Sequence, residues 1–187
     1  MRTRLWSRLI FGLVLACVAC GGQGGESSDN LTGTSAEKWS ADVCDAIAGW
    51  QVDFGAQDKL LRQATSNVTS VREARELIIA TTDNEIARTT QLLRELDAAG
   101  HPGVENGEKI AGDYRQVYGS ALPILERYRD AVKALPTDPQ DFMQGLNKTE
   151  VNFAADIDDF VARRKATNQE AAESSQLRSA FIPCVPT

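Results

Sequence analysis

Residues 104–135 read VENGEKIAGDYRQVYGSALPILERYRDAVKAL. Val104, Ala111, Tyr118, Leu125 and Val132 recur every seven residues, and Gly107, Tyr114, Ala121, Tyr128 and Leu135 form a second row of the same period. Ile110, Val117 and Ile124 widen the face. A stripe this broad is what a helix buries in a bundle, whereas a two-stranded coiled coil shows a narrower seam. Pro123 lies inside the repeat. It donates no backbone N–H, and its ring crowds the carbonyl four residues back, so the spacing predicts a kink at Gly119 but a continuous third segment over about 103–134.

Three further segments read the same way on either side. The first runs from about 35 to 64, with Trp39, Val43, Ile47, Trp50 and Phe54 at helical spacing and Thr34-Ser35-Ala36-Glu37 as a capping box. The second runs from about 70 to 98, opened by a capping box at Ser70-Val71-Arg72-Glu73 and stopped by Gly100 and Pro102. Its stripe is Ile78, Ile79, Ile86, Leu92, Leu93 and Leu96. The fourth runs from about 139 to 181, with Asp138 as cap, Pro139 at the first helical position, and a stripe of Phe142, Leu146, Phe153, Ile157 and Phe160. That stripe fades across 166–176, then resumes with Leu177, Phe181 and Ile182. Nothing alternates as a strand does. Long helices with short connections predict an all-α, up-down antiparallel four-helix bundle over 35–187.

The chain ahead of the bundle carries an address. Arg2, Arg4 and Arg8 precede an apolar run at 9–19, and Cys17 and Cys20 each follow an alanine. A basic start, a short apolar core and small residues before a cut describe a secretory signal peptide, read here as residues 1–19. The run is about half the roughly 20 residues a spanning helix needs. A cysteine at the cut points to a bacterial lipoprotein, acylated at Cys20. Cys17 is the alternative, since Val14 stands three places before it, where such signals favour an aliphatic residue. Cutting before Cys20 removes Cys17 and leaves Cys44 and Cys184 to pair. Cutting before Cys17 leaves a spare thiol in an oxidising compartment. Residues 20–34, CGGQGGESSDNLTGT, read as a flexible tether. These features predict a cell-membrane location, lipid-anchored on the extracytoplasmic face, with stable anchoring by more than one acyl chain.

The formal charge is −6. Removing the three signal arginines, with no acid among residues 1–19, gives −9. So acidic a chain is a poor partner for nucleic acid, which needs clustered Lys and Arg. The oxidising compartment permits a Cys44–Cys184 disulfide, and in an up-down bundle those two positions lie at the same end. A loop of that size is worth about 5 kcal/mol at the upper end of the chain-entropy model. Free thiols or a metal pair are the alternative, but His101 alone cannot complete a four-ligand zinc site.

The stretch Ala99-Gly100-His101-Pro102-Gly103-Val104-Glu105-Asn106-Gly107-Glu108-Lys109 resembles a pattern in small secreted proteins and lipoproteins of actinobacteria. Those proteins also begin with a Trp and a Val-Cys, like Trp39 and Val43-Cys44, and end in Pro-Cys, like Pro183-Cys184. The resemblance implies a disulfide-closed helical domain at the cell envelope and brings no activity or catalytic residue with it.

Candidate chemistry is sparse. His101 is the only histidine and sits in a turn between Gly and Pro. Asp156, Asp158 and Asp159 fall in a helical run without the glycine-containing loop calcium needs. No metal and no cofactor is expected, and no catalytic set emerges. Two surfaces stand out. Asn106, Glu108 and Lys109 at the second connection read either as helix-start residues or as a turn recognised by a partner. Tyr114 and Tyr118, with Trp50 opposite, read either as core or as the wall of a small-molecule pocket. The sequence therefore predicts a non-enzymatic, membrane-anchored module that binds another envelope component. The alternative is a carrier of a small molecule or lipid between its helices.

Overall fold

The computed structural model describes residues 33–65, 68–174 and 177–178. Among them the chain forms α1 (Ala36–Thr65), α2 (Val71–Ala99), α3 (Gly107–Gly119), α4 (Ala121–Lys133) and α5 (Pro139–Glu173). No strand is present among these residues; one isolated parallel bridge joins Thr34 to Pro102. The expected all-α bundle is what forms. The stretch expected to be a signal peptide, most of the expected tether, both candidate acylation sites Cys17 and Cys20, and Cys184 lie outside the described residues.

α3 and α4 are two halves of one arm. The regular helix is interrupted only at Ser120, whose backbone stays helical (φ −68°, ψ −11°) and whose N–H still donates to Gln116 O at 3.0 Å. The interruption falls where Pro123 offers Gly119 no N–H, the position the sequence marks for a kink. The arm begins at Gly107, four residues later than the repeat suggested, because 100–106 is used by a loop. The fourth segment is unbroken to Glu173 and ends at Ser174, earlier than 181, with Leu177 packed into the core beyond it.

Contacts between helix ends fix the directions. Trp39 at the start of α1 donates its indole N–H to Gly100 O at the end of α2, at 3.1 Å. Arg75 near the start of α2 donates to the carbonyls of Leu135 and Pro136 just past α4, both at 2.7 Å. Lys109 at the start of α3 pairs with Glu170 at the end of α5. Successive arms are therefore antiparallel. α2 packs closely against α1, α3 and α4, and α5 packs against α3 and α4. α1 meets α3 and α5 differently, through large rings. Trp39 meets Tyr114 edge-on with centroids 5.8 Å apart, Trp50 meets Tyr118 at 5.6 Å, and Trp50 meets Phe160 at 6.2 Å.

The helix starts follow their capping chemistry. Ser70 Oγ accepts from Glu73 N at 3.2 Å, and Asp138 Oδ1 accepts from Gln140 N and Asp141 N at 2.9 and 3.1 Å. At α1 the capping hydroxyl is Ser35, accepting from Lys38 N at 3.3 Å; Thr34, the expected cap, is engaged elsewhere.

Candidate functional site

The aromatic layer runs from the first turn of α1 to its middle. Trp39, Tyr114 and Tyr118 are each 1% exposed and Trp50 is 9% exposed. Tyr114 and Tyr118 stack with centroids 6.4 Å apart, and Tyr118 meets Phe160 at 6.0 Å. Phe54 closes on Trp50 at 4.6 Å. The polar atoms of these rings are provided for. Tyr114 donates to Asn168 Oδ1 at 2.8 Å, and Trp50 donates to Thr89 Oγ1 at 3.1 Å. Thr89 in turn donates to Glu85 O at 2.8 Å. Burial pushes the Tyr118 hydroxyl up to about 12, although the Arg164 guanidinium beside it pulls the other way. Burial also raises Tyr114. The expected pocket residues Tyr114, Tyr118 and Trp50 are thus brought together, but as rings packed on one another.

Two of the grooves on the described surface lie between neighbouring helices. One, of about 500 Å³, runs between α1 and α2 over Ala46, Gly49, Ala98 and Ala99, with Trp50 at its floor and Asp45 and Glu95 on its rim. The other, of about 570 Å³, lies between α4 and α5 over Ile124, Tyr128 and Phe153, spanned by an Arg127–Asp156 ion pair at 3.0 Å. Neither is lined by Tyr114 or Tyr118. The Tyr128 hydroxyl is buried with no hydrogen-bond partner among the described residues, and burial together with nearby Glu150 and Glu85 raises its pKa.

The second connection is a strap. Thr34 N donates to His101 O at 2.9 Å, and Gly103 N donates to Thr34 O at 2.7 Å. The residues just before α1 are thereby fastened to the loop between α2 and α3. Gly100 ends α2 with φ +70°, a conformation suited to glycine. Its carbonyl accepts from Trp39 and, at 3.4 Å, from Arg115. Pro102 and Val104 are buried. At Gly107 a Cβ would lie 1.9 Å from Pro102 O. The close neighbour of Gly107 is therefore this loop carbonyl.

The three candidate recognition residues have different surroundings. Asn106 precedes α3 in the left-handed region (φ +59°, ψ +20°), and its side chain makes no cap hydrogen bond. The helix-start role expected for that side chain is absent. Glu108 is 84% exposed and stands 4.0 Å from His101 Nε2. Lys109 pairs with Asp113 at 2.8 Å and with Glu170, and these two carboxylates raise its pKa. Sequence reading did not find the strap, nor the buried Thr81, Thr82 and Thr89 of α2.

No helix among the described residues is long and apolar enough to cross a membrane. No protein-family model, curated protein or solved structure matches the chain, so the actinobacterial resemblance rests on its motif residues alone.

Proposed function

We propose that the protein is an extracytoplasmic lipoprotein, acylated at Cys20, whose helical bundle serves as a non-enzymatic binding module at the cell envelope. The observation that carries the binding reading is the filled aromatic layer. Trp39, Trp50, Tyr114, Tyr118 and Phe160 occupy the space between the arms with one another, which leaves the exterior for recognition. A carrier of the alternative kind would have to part these rings.

A Cys44–Cys184 disulfide belongs to the same proposal. Cys44 lies half-buried in α1. It follows Val43, which shares a core cluster with Leu177, seven residues before Cys184 in sequence. Seven residues of chain reach up to roughly 23 Å, enough to bring Cys184 to α1. The bond would staple the end of α5 to the start of α1.

Mass spectrometry of protein purified from envelope membranes tests the reading. A diacylated Cys20 at the N-terminus and a nonreduced peptide linking Cys44 to Cys184 are expected. An unmodified N-terminus refutes the anchor. A lipid or metabolite that co-purifies in stoichiometric amount supports the carrier and refutes the filled-core module.

A further inference from the structure

Asn106-Gly107 sits at the joint between the strap and α3. Asparagine followed by glycine is the pair in which the next backbone nitrogen reaches the side-chain carbonyl most easily, because glycine has no Cβ to obstruct it. Here Asn106 is exposed and its carboxamide is not committed to capping the helix. Its backbone is in the left-handed region, which asparagine tolerates better than most residues. Two contacts restrain the reaction in the closed loop. Gly107 N–H is donated to Val104 O at 3.0 Å, and Pro102 O is wedged against the Gly107 Cα.

We propose that Asn106 is a deamidation site gated by the strap, and that isoaspartate formed there keeps the strap from closing again. When the loop opens, the Gly107 amide loses its proton to solvent base and its nitrogen attacks Asn106 Cγ. The new C–N bond closes a five-membered succinimide. The Cγ–Nδ2 bond breaks, and the nitrogen leaves as ammonia after taking up a proton. Water then adds to one of the two succinimide carbonyls, which opens the ring to aspartate or isoaspartate. No electrons are transferred, and water is the only co-reactant. Isoaspartate routes the main chain through the former side chain and adds one methylene between residues 106 and 107. A joint in which even a Cβ would fall 1.9 Å from Pro102 O has no slack for that. The consequence is local: the chain entering α1 comes off the loop that held it.

The test follows deamidation at Asn106 by peptide mapping that separates aspartate from isoaspartate, in the full mature chain at neutral pH. Three samples are compared: wild type, Gly33→Val, and wild type unfolded in urea. Gly33 has φ +139°, and a Cβ there would lie 2.8 Å from His101 atoms, so the variant opens the strap. Trp39→Phe, which removes the bond to Gly100 O, replaces it if Gly33→Val does not fold. Wild type should react about ten-fold or more slowly than the unfolded chain, and the opened variant several-fold faster than wild type, as expected for reaction through local opening. Aged wild type should lose hydrogen-exchange protection at the Thr34 and Gly103 amides in proportion to its isoaspartate. Equal rates in folded and unfolded chain overturn the gating. A variant with Thr34 unprotected and Asn106 no faster overturns it as well. Absence of conversion at Asn106 in every sample overturns the site.

Discussion

Replacing Gly107 with alanine tests whether the second connection is built around a missing side chain. The new Cβ would lie 1.9 Å from Pro102 O, 3.1 Å from its carbonyl carbon and 3.4 Å from its Cγ. Ordinary contact begins near 3.4 Å, so the carbonyl or the helix start must retreat by about 1.5 Å, the difference between 3.4 and 1.9. Pro102 is fully buried, and its neighbours hold three hydrogen bonds, Thr34 N to His101 O, Gly103 N to Thr34 O and Trp39 Nε1 to Gly100 O. A shift of that size stretches all three past useful length. Each is worth about 1 kcal/mol net, overpacking adds about 1–3, and alanine returns up to about 1 through helix propensity. The expected loss is roughly 3–5 kcal/mol. For a domain of this size each kcal/mol moves Tm by about 2–4 °C, so Gly107→Ala should melt on the order of 10 °C lower. Gly49→Ala is the control, since a Cβ there meets nothing within 4 Å inside α1. It should raise stability by about 0.5–1 kcal/mol. Thermal melts by circular dichroism, with hydrogen exchange at Thr34 and Gly103, read both. A Gly107→Ala protein that melts like Gly49→Ala refutes the close approach.

Thr89→Val keeps the shape of a fully buried side chain but removes the acceptor of the Trp50 indole. It should cost about 1–3 kcal/mol, the penalty of an unpaired buried donor, and the cost should shrink in a Trp50→Phe background. Equal costs in the two backgrounds, measured by urea denaturation, would count against the bond. Hydrogen bonds from the Thr69 backbone and hydroxyl hold the Glu73 carboxyl below the ordinary glutamate range. A folded-state pKa below the unfolded one means stability that is present above the unfolded value and is lost as pH falls through the folded value. The Tm advantage of wild type over Glu73→Gln should therefore hold at neutral pH and disappear on acidification through the carboxylate range. An advantage that persists in acid contradicts the assignment.

The sevenfold rows of residues 104–135 foretold burial well: Val104, Ala111, Tyr118, Leu125 and Val132 are all buried, as are Ile110, Val117 and Ile124. Periodicity works there because each position sees the same interior on every second turn. It passes over Thr82 and Thr89, whose hydroxyls donate to carbonyls one turn back at 2.8 Å and so enter the core with their protons satisfied inside their own helix, Thr89 also accepting from Trp50 of α1. The strap is invisible to periodicity for a different reason. It is made of main-chain bonds between Thr34 and residues 101–103, and backbone groups carry no residue type. The signal was present only as a set of awkward residues. Gly33 and Gly100 have positive φ, Asn106 is left-handed, and Gly107 must lack a side chain. Three of these, Gly100, Asn106 and Gly107, lie in the stretch 99–109 that the sequence singles out. Stereochemistry accounts for Gly100, Pro102, Val104 and Gly107 without any partner, while Glu105 and Glu108 point to solvent and are not used by the strap. A partner at this turn would meet the exposed side chains of Glu105, Asn106, Glu108 and Lys109, since Gly100, Pro102, Val104 and Gly107 are spent on closing the loop.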